Sequence, residues 1–196
     1  MAEKTRAKRG RKVLLTLLVV GVVGSLAGFG TFSAFSSTTS NDNNYFQAGT
    51  VYITDNDSGA AMYNLTNAKP GDTATSCITV TYLGTLDAVV HLYATGVTGP
   101  LASYVDLTVD QGTSSSPFGD CSTFSGSNIY TGTLAGFPSN YASGLVTNPG
   151  AGFWATNDSI TYRFTVTLQD NNAANGQGSG PLDTGLHSFV WEAQNT

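Results

Sequence analysis

The stretch "SITYRFTVTL", residues 159–168, alternates apolar and polar side chains along its whole length. The apolar positions are Ile160, Tyr162, Phe164, Val166 and Leu168. Successive side chains of a β-strand point to opposite faces, so this period of two predicts a strand with one buried and one wet face. Burial of each apolar side chain contributes about 1.5–3 kcal/mol, which favours a central position in a sheet.

Shorter runs of the same kind lie between Gly, Pro, Asn and Asp residues. They predict strands over residues 50–54, 75–82, 88–94, 105–110, 128–134 and 187–193. Beyond residue 45 no stretch has a sustained helical period, and at most a turn or two of helix is expected near 101–104 and 140–145. The pattern therefore predicts an all-β fold, an antiparallel β-sandwich of the immunoglobulin-like or jelly-roll kind.

The N-terminus has the composition of a secretory signal. Residues 1–12 carry six of the eight basic side chains, and an uncharged apolar run follows. A basic region, an apolar helix and then small residues are typical of a signal peptide, here residues 1–33, although an uncleaved membrane anchor is the competing interpretation. Residues 34–46 are then a flexible N-terminal segment, and 47–196 form the sandwich domain. In either case the domain is expected outside the cytoplasm.

Removal of residues 1–33 leaves an acidic protein. Two basic residues, Lys69 and Arg163, remain against twelve acidic ones, a formal balance of −10. Such a surface repels nucleic acid and anionic lipid, so neither is expected as a partner. Contact with a membrane is expected only through an uncleaved signal segment.

Cys77 and Cys121 are the two cysteines of the chain. An even pair in an oxidising compartment predicts a disulfide, and no CxxC motif points to a metal or redox role. Closing a loop of this length contributes about 4 kcal/mol in the chain-entropy estimate. Cys77 is predicted on the outer face of its strand, because Ile78 and Val80 occupy the inner one.

Few residues are candidates for metal chemistry. The two histidines, His91 and His187, occur in no spacing that places two ligands together, so each is interpreted as a hydrogen-bonded strand residue. Asp55 and Asp57 in "DNDSG" have the look of a calcium loop, but the downstream acid of an EF-hand is missing and an exposed turn is the simpler interpretation. No catalytic residue and no cofactor is predicted.

Five motifs together resemble the TasA/camelysin family of exported bacterial surface proteins. They are "GTFSAF" at 30–35, "FQAGTVYI" at 46–53, "YNLTNAKPGD" at 63–72, "ITVTYLGTLDA" at 78–88 and "FVWEAQ" at 189–194. The resemblance implies a jelly-roll domain that polymerises into extracellular fibres of the biofilm matrix. No motif of the family covers the middle of the chain.

The resemblance also implies how the subunits assemble. A SipW-type signal peptidase would cut between Ser33 and Ala34, and the freed segment would complete the sheet of another copy by donor-strand exchange. The residues expected in this donor strand are Ala34, Phe35, Ser37 and Thr39. The implied partners are other copies of the chain, the signal peptidase, and an accessory matrix or anchoring protein.

Two other function classes stay open from the sequence. One is a surface metalloprotease, because camelysin itself was classed as one, but the absence of a zinc motif argues against carrying that activity over. The other is a cell-surface module that binds a glycan or a protein, with Trp154 or the aromatic residues near it as its contacts, although Trp154 is equally expected to cap the core.

Overall fold

The structure, a computed structural model, describes residues 3–30, 39, 44–150, 152–175 and 182–195. The chain separates into two compact units, Met1–Phe46 and Gln47–Thr196. The first unit contains one helix, α1 (Glu3–Gly30), at the position of the predicted signal helix. Its apolar side chains between positions 13 and 23 are exposed. Within the described ranges, no helix combines the length and the apolar character needed to cross a membrane.

The second unit is built from strands joined by loops and short 3₁₀ turns. The strands are β1 (Ile53–Asp55), β2 (Thr73–Tyr82), β3 (Ala88–Thr95), β4 (Val105–Thr113), β5 (Ser125–Thr133), β6 (Leu145–Val146), β7 (Ser159–Leu168) and β8 (Ser188–Asn195). The 3₁₀ turns are Pro100–Tyr104, Leu134–Gly136, Tyr141–Ser143 and Asn172–Asn175. The strand predictions from the sequence are confirmed apart from their ends, whereas the two-residue β6 was missed.

The strands form two antiparallel sheets that pack face to face. One sheet has the order β1-β2-β7-β4-β5 and the other the order β6-β3-β8. Most consecutive strands lie in different sheets, so the chain passes repeatedly across the sandwich. The predicted all-β antiparallel sandwich preceded by a helix is therefore confirmed.

Strand β7 lies at the centre of the larger sheet, between β2 and β4. All five apolar side chains of its inner face are buried, as predicted. The outer face is drier than predicted, because Thr161 is also buried and shares a hydrogen bond of 2.8 Å with Thr79 on β2. The prediction of a fully wet face was wrong here, because a loop between β4 and β5 crosses the neighbouring positions.

A disulfide holds that loop, residues 114–124, against the outer face. Cys77 and Cys121 are bonded, with their Cα atoms 5.3 Å apart, which confirms the predicted pair. The Gly119 amide also donates to the Cys77 carbonyl at 2.8 Å. Cys77 does lie on the outer face, but the loop buries it.

An ion pair lies beside the disulfide on the same face. Arg163, the register partner of Cys77, donates two hydrogen bonds to Asp110 at 2.7 and 3.0 Å. The guanidinium also lies 4.7 Å from the ring centre of Phe124, a cation–π geometry. Asp110 is buried and is further bonded to the Asn128 amide at 3.1 Å. One of the two basic residues that follow residue 33 is thus committed to the fold.

The structure places Trp154 in the core rather than on a binding surface. Its side chain is fully buried, and its indole N–H donates to the Thr147 carbonyl. Its backbone bridges to Ala88 at the start of β3. Of the two expectations for Trp154, the core position is the one that the structure supports, because this side chain packs between the sheets.

We expect the disulfide to contribute about 4 kcal/mol to the free energy of unfolding, because it restricts a long loop in the unfolded chain. The test is urea unfolding of the oxidised protein and of a Cys77→Ser/Cys121→Ser variant, followed by fluorescence. The wild type with reductant is the matched control for the serine substitutions. Equal unfolding midpoints in all three samples would contradict the expectation.

We expect Arg163→Met to lower the free energy of unfolding by about 2 kcal/mol, because it leaves the buried Asp110 carboxylate without its cation. The guanidinium side chain is 39 % exposed, which reduces the loss below that of a fully buried pair. Addition of Asp110→Asn should recover most of the loss. Chemical denaturation of the single and double variants measures both effects, and a neutral single variant would contradict them.

Candidate functional site

The last strand, β8, is paired on one side only, with β3. Ala88 of β3 exchanges both of its backbone hydrogen bonds with Trp154, on the side away from β8. Antiparallel strands alternate between hydrogen-bonded and non-hydrogen-bonded pairs. Counted from Ala88, every second residue of β3 therefore also directs its backbone N–H and C=O groups away from β8. The β8 partners at these positions, Phe189, Trp191 and Ala193, direct their N–H and C=O groups to the open edge. In the described parts of the chain no backbone hydrogen bond reaches them.

The side chains of the same three residues face the core but are incompletely covered. On the neighbouring strand β3, Val90 and Leu92 are fully buried, whereas Phe189, Trp191 and Ala193 are only half-buried. Phe189 still contacts the core through Phe164, with ring centres 4.4 Å apart. The sandwich is therefore complete along β3 and unfinished along β8.

Two cavities lie along this edge. The larger, of about 570 Å³, lies between β8 and the inner face of the other sheet, where Ile78, Val166 and Leu168 line it. The smaller, of about 250 Å³, is lined by residues of β1 and by Val190 and Trp191 of β8. We call the larger cavity together with the open edge of β8 the β8 groove. It offers unpaired backbone groups next to an apolar floor.

The other long edge strand lacks these properties. Strand β5 is mostly polar and exposed, and a bulge between Val109 and Asp110 of β4 interrupts its pairing. Bulges and polar edges are common protections against unwanted strand pairing. The remaining edges, β1 and β6, have only three and two residues. Among the described strands, β8 is therefore the edge best suited to accept another strand.

A segment of the β1–β2 connection, residues 61–68, lies over the groove, and we call it the cover segment. Its side chains Met62 and Tyr63 pack against the core. The Tyr63 hydroxyl lies 2.6 Å from Nε2 of His187, and Nδ1 of His187 lies 2.9 Å from the Gly185 carbonyl. Since a carbonyl only accepts, the proton of the neutral ring sits on Nδ1 and Tyr63 donates to Nε2. Burial raises the pKa of the Tyr63 phenol, which keeps it a donor.

Two buried polar atoms lie close together beside the groove. They are the Tyr162 hydroxyl and Nε1 of Trp191, whose rings are 5.2 Å apart. Burial raises the pKa of the Tyr162 phenol, and interactions with the side chains of Thr147 and Trp191 act in the opposite direction. The indole N–H of Trp191 therefore faces a polar neighbour inside the domain.

The predicted donor strand falls largely outside the described residues. Ser33 and Ala34 of the predicted cleavage site, and Phe35 and Ser37 of the donor strand, all lie in that part of the chain. Thr39 is described, and it is exposed and outside any helix or strand. These assignments stay predictions.

The calcium candidates lie in a tight turn after β1. Asp55 Oδ1 accepts from the Asp57 amide at 3.1 Å, and Asp57 Oδ1 accepts from the Gly59 amide at 2.5 Å. Ser58 and Gly59 have positive φ angles, as such turns require. Burial, as the largest cause, raises the pKa of Asp55. Each carboxylate is thus used to shape the turn, and nothing in this geometry requires a cation.

The two histidines do not come together. His91 pairs with Glu192 across the sheet, and His187 lies five residues before Glu192, roughly 17 Å away along the strand. His91 is stacked on Tyr141 and bonded to its carbonyl at 2.7 Å. Each of the two histidine rings therefore has its own hydrogen-bond partners, and the rings do not contact each other. Within the described residues no three His, Cys, Asp or Glu side chains are grouped to hold a metal ion.

The sequence analysis missed the contact between Tyr63 and His187. The two residues are 124 positions apart, and no local pattern links them. The available signal was that Tyr63 begins the "YNLTNAKPGD" motif, one of the five that carry the family resemblance.

The comparisons with known proteins point to one family. A family model described as camelysin metallo-endopeptidase matches residues 9–98. No curated protein matches the chain. The matched part contains most of α1, the first three strands and the cover segment, and it includes four of the five motifs quoted above. In this matched part, which is slightly less than half of the chain, the protein is similar to the camelysin family.

Proposed function

We propose that this protein is a secreted, non-enzymatic structural subunit of fibres at the cell surface or in the biofilm matrix. Subunits assemble by strand addition: the N-terminal segment freed from one copy pairs with the open edge of β8 in the next. Backbone hydrogen bonds supply the affinity, and alternate side chains enter the β8 groove.

The observation that carries this proposal is the unfinished edge at β8. Phe189, Trp191 and Ala193 present unpaired backbone groups and half-buried side chains in one row. A long apolar edge of this kind normally causes aggregation and is blocked in proteins that stay monomeric. Its preservation here, while β5 is protected, supports a role in controlled pairing.

The N-terminal segment has the length and composition for the donor role. Residues 34–46 number thirteen, against eight in β8, so a full strand and a short connection both fit. The segment carries a single charged residue, Asp42, and is therefore not repelled by an acidic neighbour. Its Thr residues favour extended structure, and its small residues do not form a core alone.

Export and processing belong to the same proposal. A SipW-type signal peptidase would release the segment between Ser33 and Ala34, so that assembly begins only after export. Other copies of the chain are the main partner, and an accessory matrix or anchoring protein would fix the fibre to the cell. The acidic surface of the exported domain supports solubility of the free subunit.

The description of the family as a metallo-endopeptidase does not fit the histidines of this chain. A catalytic zinc needs three protein ligands within about 2 Å of the metal. His91 and His187 are far apart, and His187 is engaged at both ring nitrogens. We derive no proteolytic step from them. The glycan-binding alternative lost its main contact with the burial of Trp154.

We expect Ala193→Pro to block fibre formation without unfolding the domain. Proline removes an N–H that points to the open edge, not one that bonds to β3, and edge strands tolerate this. Ala193→Ser is the matched control, because it changes the side chain and keeps the N–H. Electron microscopy of both mature variants gives the readout, with circular dichroism to verify folding.

The donor side is tested by deletion of residues 34–44 from the mature protein, which should also prevent fibres. Fibres that form equally well in the deletion variant, or in a folded Ala193→Pro variant, would refute strand addition at β8.

We expect the purified mature protein to leave casein uncleaved, with or without added Zn²⁺, because the histidines cannot share a metal ion. Release of soluble peptides from casein is the measurement. Hydrolysis that a chelator stops and that His187→Ala or His91→Ala abolishes would contradict this expectation.

A further inference from the structure

The cover segment lines the groove next to the open edge of β8, yet among the described residues it is not paired as a strand. It lies beside Phe189, whose ring centre is 6.5 Å from that of Tyr63. Across the described chain, no backbone hydrogen bond joins residues 61–68 to β8 or to any other strand. The segment is held by the side chains of Met62, Tyr63 and Ala68 in the core, and by the hydroxyl bond to His187.

Hydrogen-bonded turns hold both ends of this segment. Gly59 before it and Gly71 after it have positive φ angles, 82° and 86°, which glycine adopts without steric cost. The Gly59 amide donates to Asp57 Oδ1, and the Gly71 amide donates to the Leu168 carbonyl at 2.8 Å. The part of the segment without backbone pairing lies between these two fixed turns.

We infer that residues 61–68 are a displaceable cover of the β8 groove, latched by the hydrogen bond from Tyr63 to His187, and that the N-terminal segment of a second copy displaces them. This inference rests on the proposed function, and adds that the acceptor site is closed in the free subunit. The incoming strand pairs with the N–H and C=O groups of Phe189, Trp191 and Ala193, which the cover leaves unpaired.

The physical reason for the exchange is the difference in backbone pairing. The cover fills part of the apolar groove but satisfies none of the outward backbone groups of β8. An added strand fills the apolar groove and also pairs with the outward backbone groups of β8. It therefore replaces the packing of Met62 and Tyr63 and adds a ladder of hydrogen bonds. In the free subunit the cover shields an edge that would otherwise pair with any exposed strand.

Tyr63 is the residue that sets the strength of this latch. Its ring packs in the core while its hydroxyl makes the bond to His187. Tyr63→Phe removes the hydroxyl and keeps the ring. Tyr93→Phe is the matched control: the Tyr93 hydroxyl bonds to Glu192 of β8 at 2.7 Å, but on the outer face of the same sheet.

The experiment compares assembly of mature wild type, Tyr63→Phe and Tyr93→Phe, followed by light scattering with electron microscopy of the products. We expect the lag before fibre growth to shorten about threefold to tenfold in Tyr63→Phe, the factor that one net hydrogen bond provides. Tyr93→Phe should keep the wild-type lag. Equal lags in all three assembling proteins would overturn the latch and leave strand addition standing.

Quenching of Trp191 fluorescence by acrylamide on the monomer separates the inference from the proposed function. Trp191 lines the groove, whereas the other tryptophan, Trp154, is fully buried. At concentrations below assembly, quenching should be stronger in Tyr63→Phe than in wild type and in Tyr93→Phe. Unchanged quenching would overturn the cover whatever the fibres do. Stronger quenching with no fibres from any protein, wild type included, would support the cover and refute the fibre role.

Discussion

The pairing of β7 with β2 on one side and β4 on the other is the interaction on which the sandwich depends. It buries the five apolar side chains of β7 and fixes the register of both neighbours. That register sets Cys77 and Asp110 on either side of Arg163, so the disulfide and the ion pair form beside each other. Together they hold the loop 114–124 over a face that would otherwise be wet. The disulfide and the ion pair thereby cover part of the outer face of the larger sheet.

The smaller sheet is stabilised by a weaker set of contacts. Its central strand β3 is buried and bridged on its far side by Trp154, whereas no strand of the described part of the chain pairs with the outer side of β8. The side chains that cover this edge belong to a segment without backbone pairing. The stability of the domain is therefore unevenly distributed, and the region that opens at least cost is the β8 groove. Functional surfaces are commonly drawn from such regions, because binding requires groups that the fold itself has left unsatisfied.

Similarity to the camelysin family over residues 9–98 and the open edge of β8 support the same proposal from independent observations. The family match ends at residue 98 and does not include β8, so the edge was not inferred from the match. The family description names a protease, but the two histidines lie on separate parts of one sheet, each with its own partner. A subunit that assembles through backbone hydrogen bonds needs no metal site. It needs only an exposed strand edge and a segment that pairs with this edge.

The sequence by itself determined the fold class, the larger strands and the disulfide, and it indicated the similarity to the camelysin family. Each of these depends on a local pattern: the period of two along "SITYRFTVTL", the even cysteine count, and short motifs at both ends. The covered outer face at Thr161, the burial of Trp154 and the contact between Tyr63 and His187 were decided only by the tertiary structure. Period-two alternation assigns a side chain to one of two faces, but it does not say what lies on that face. Whether β8 is a finished or an open edge depends on which strands are its neighbours, and that is a property of sheet order, which no single segment of the sequence contains.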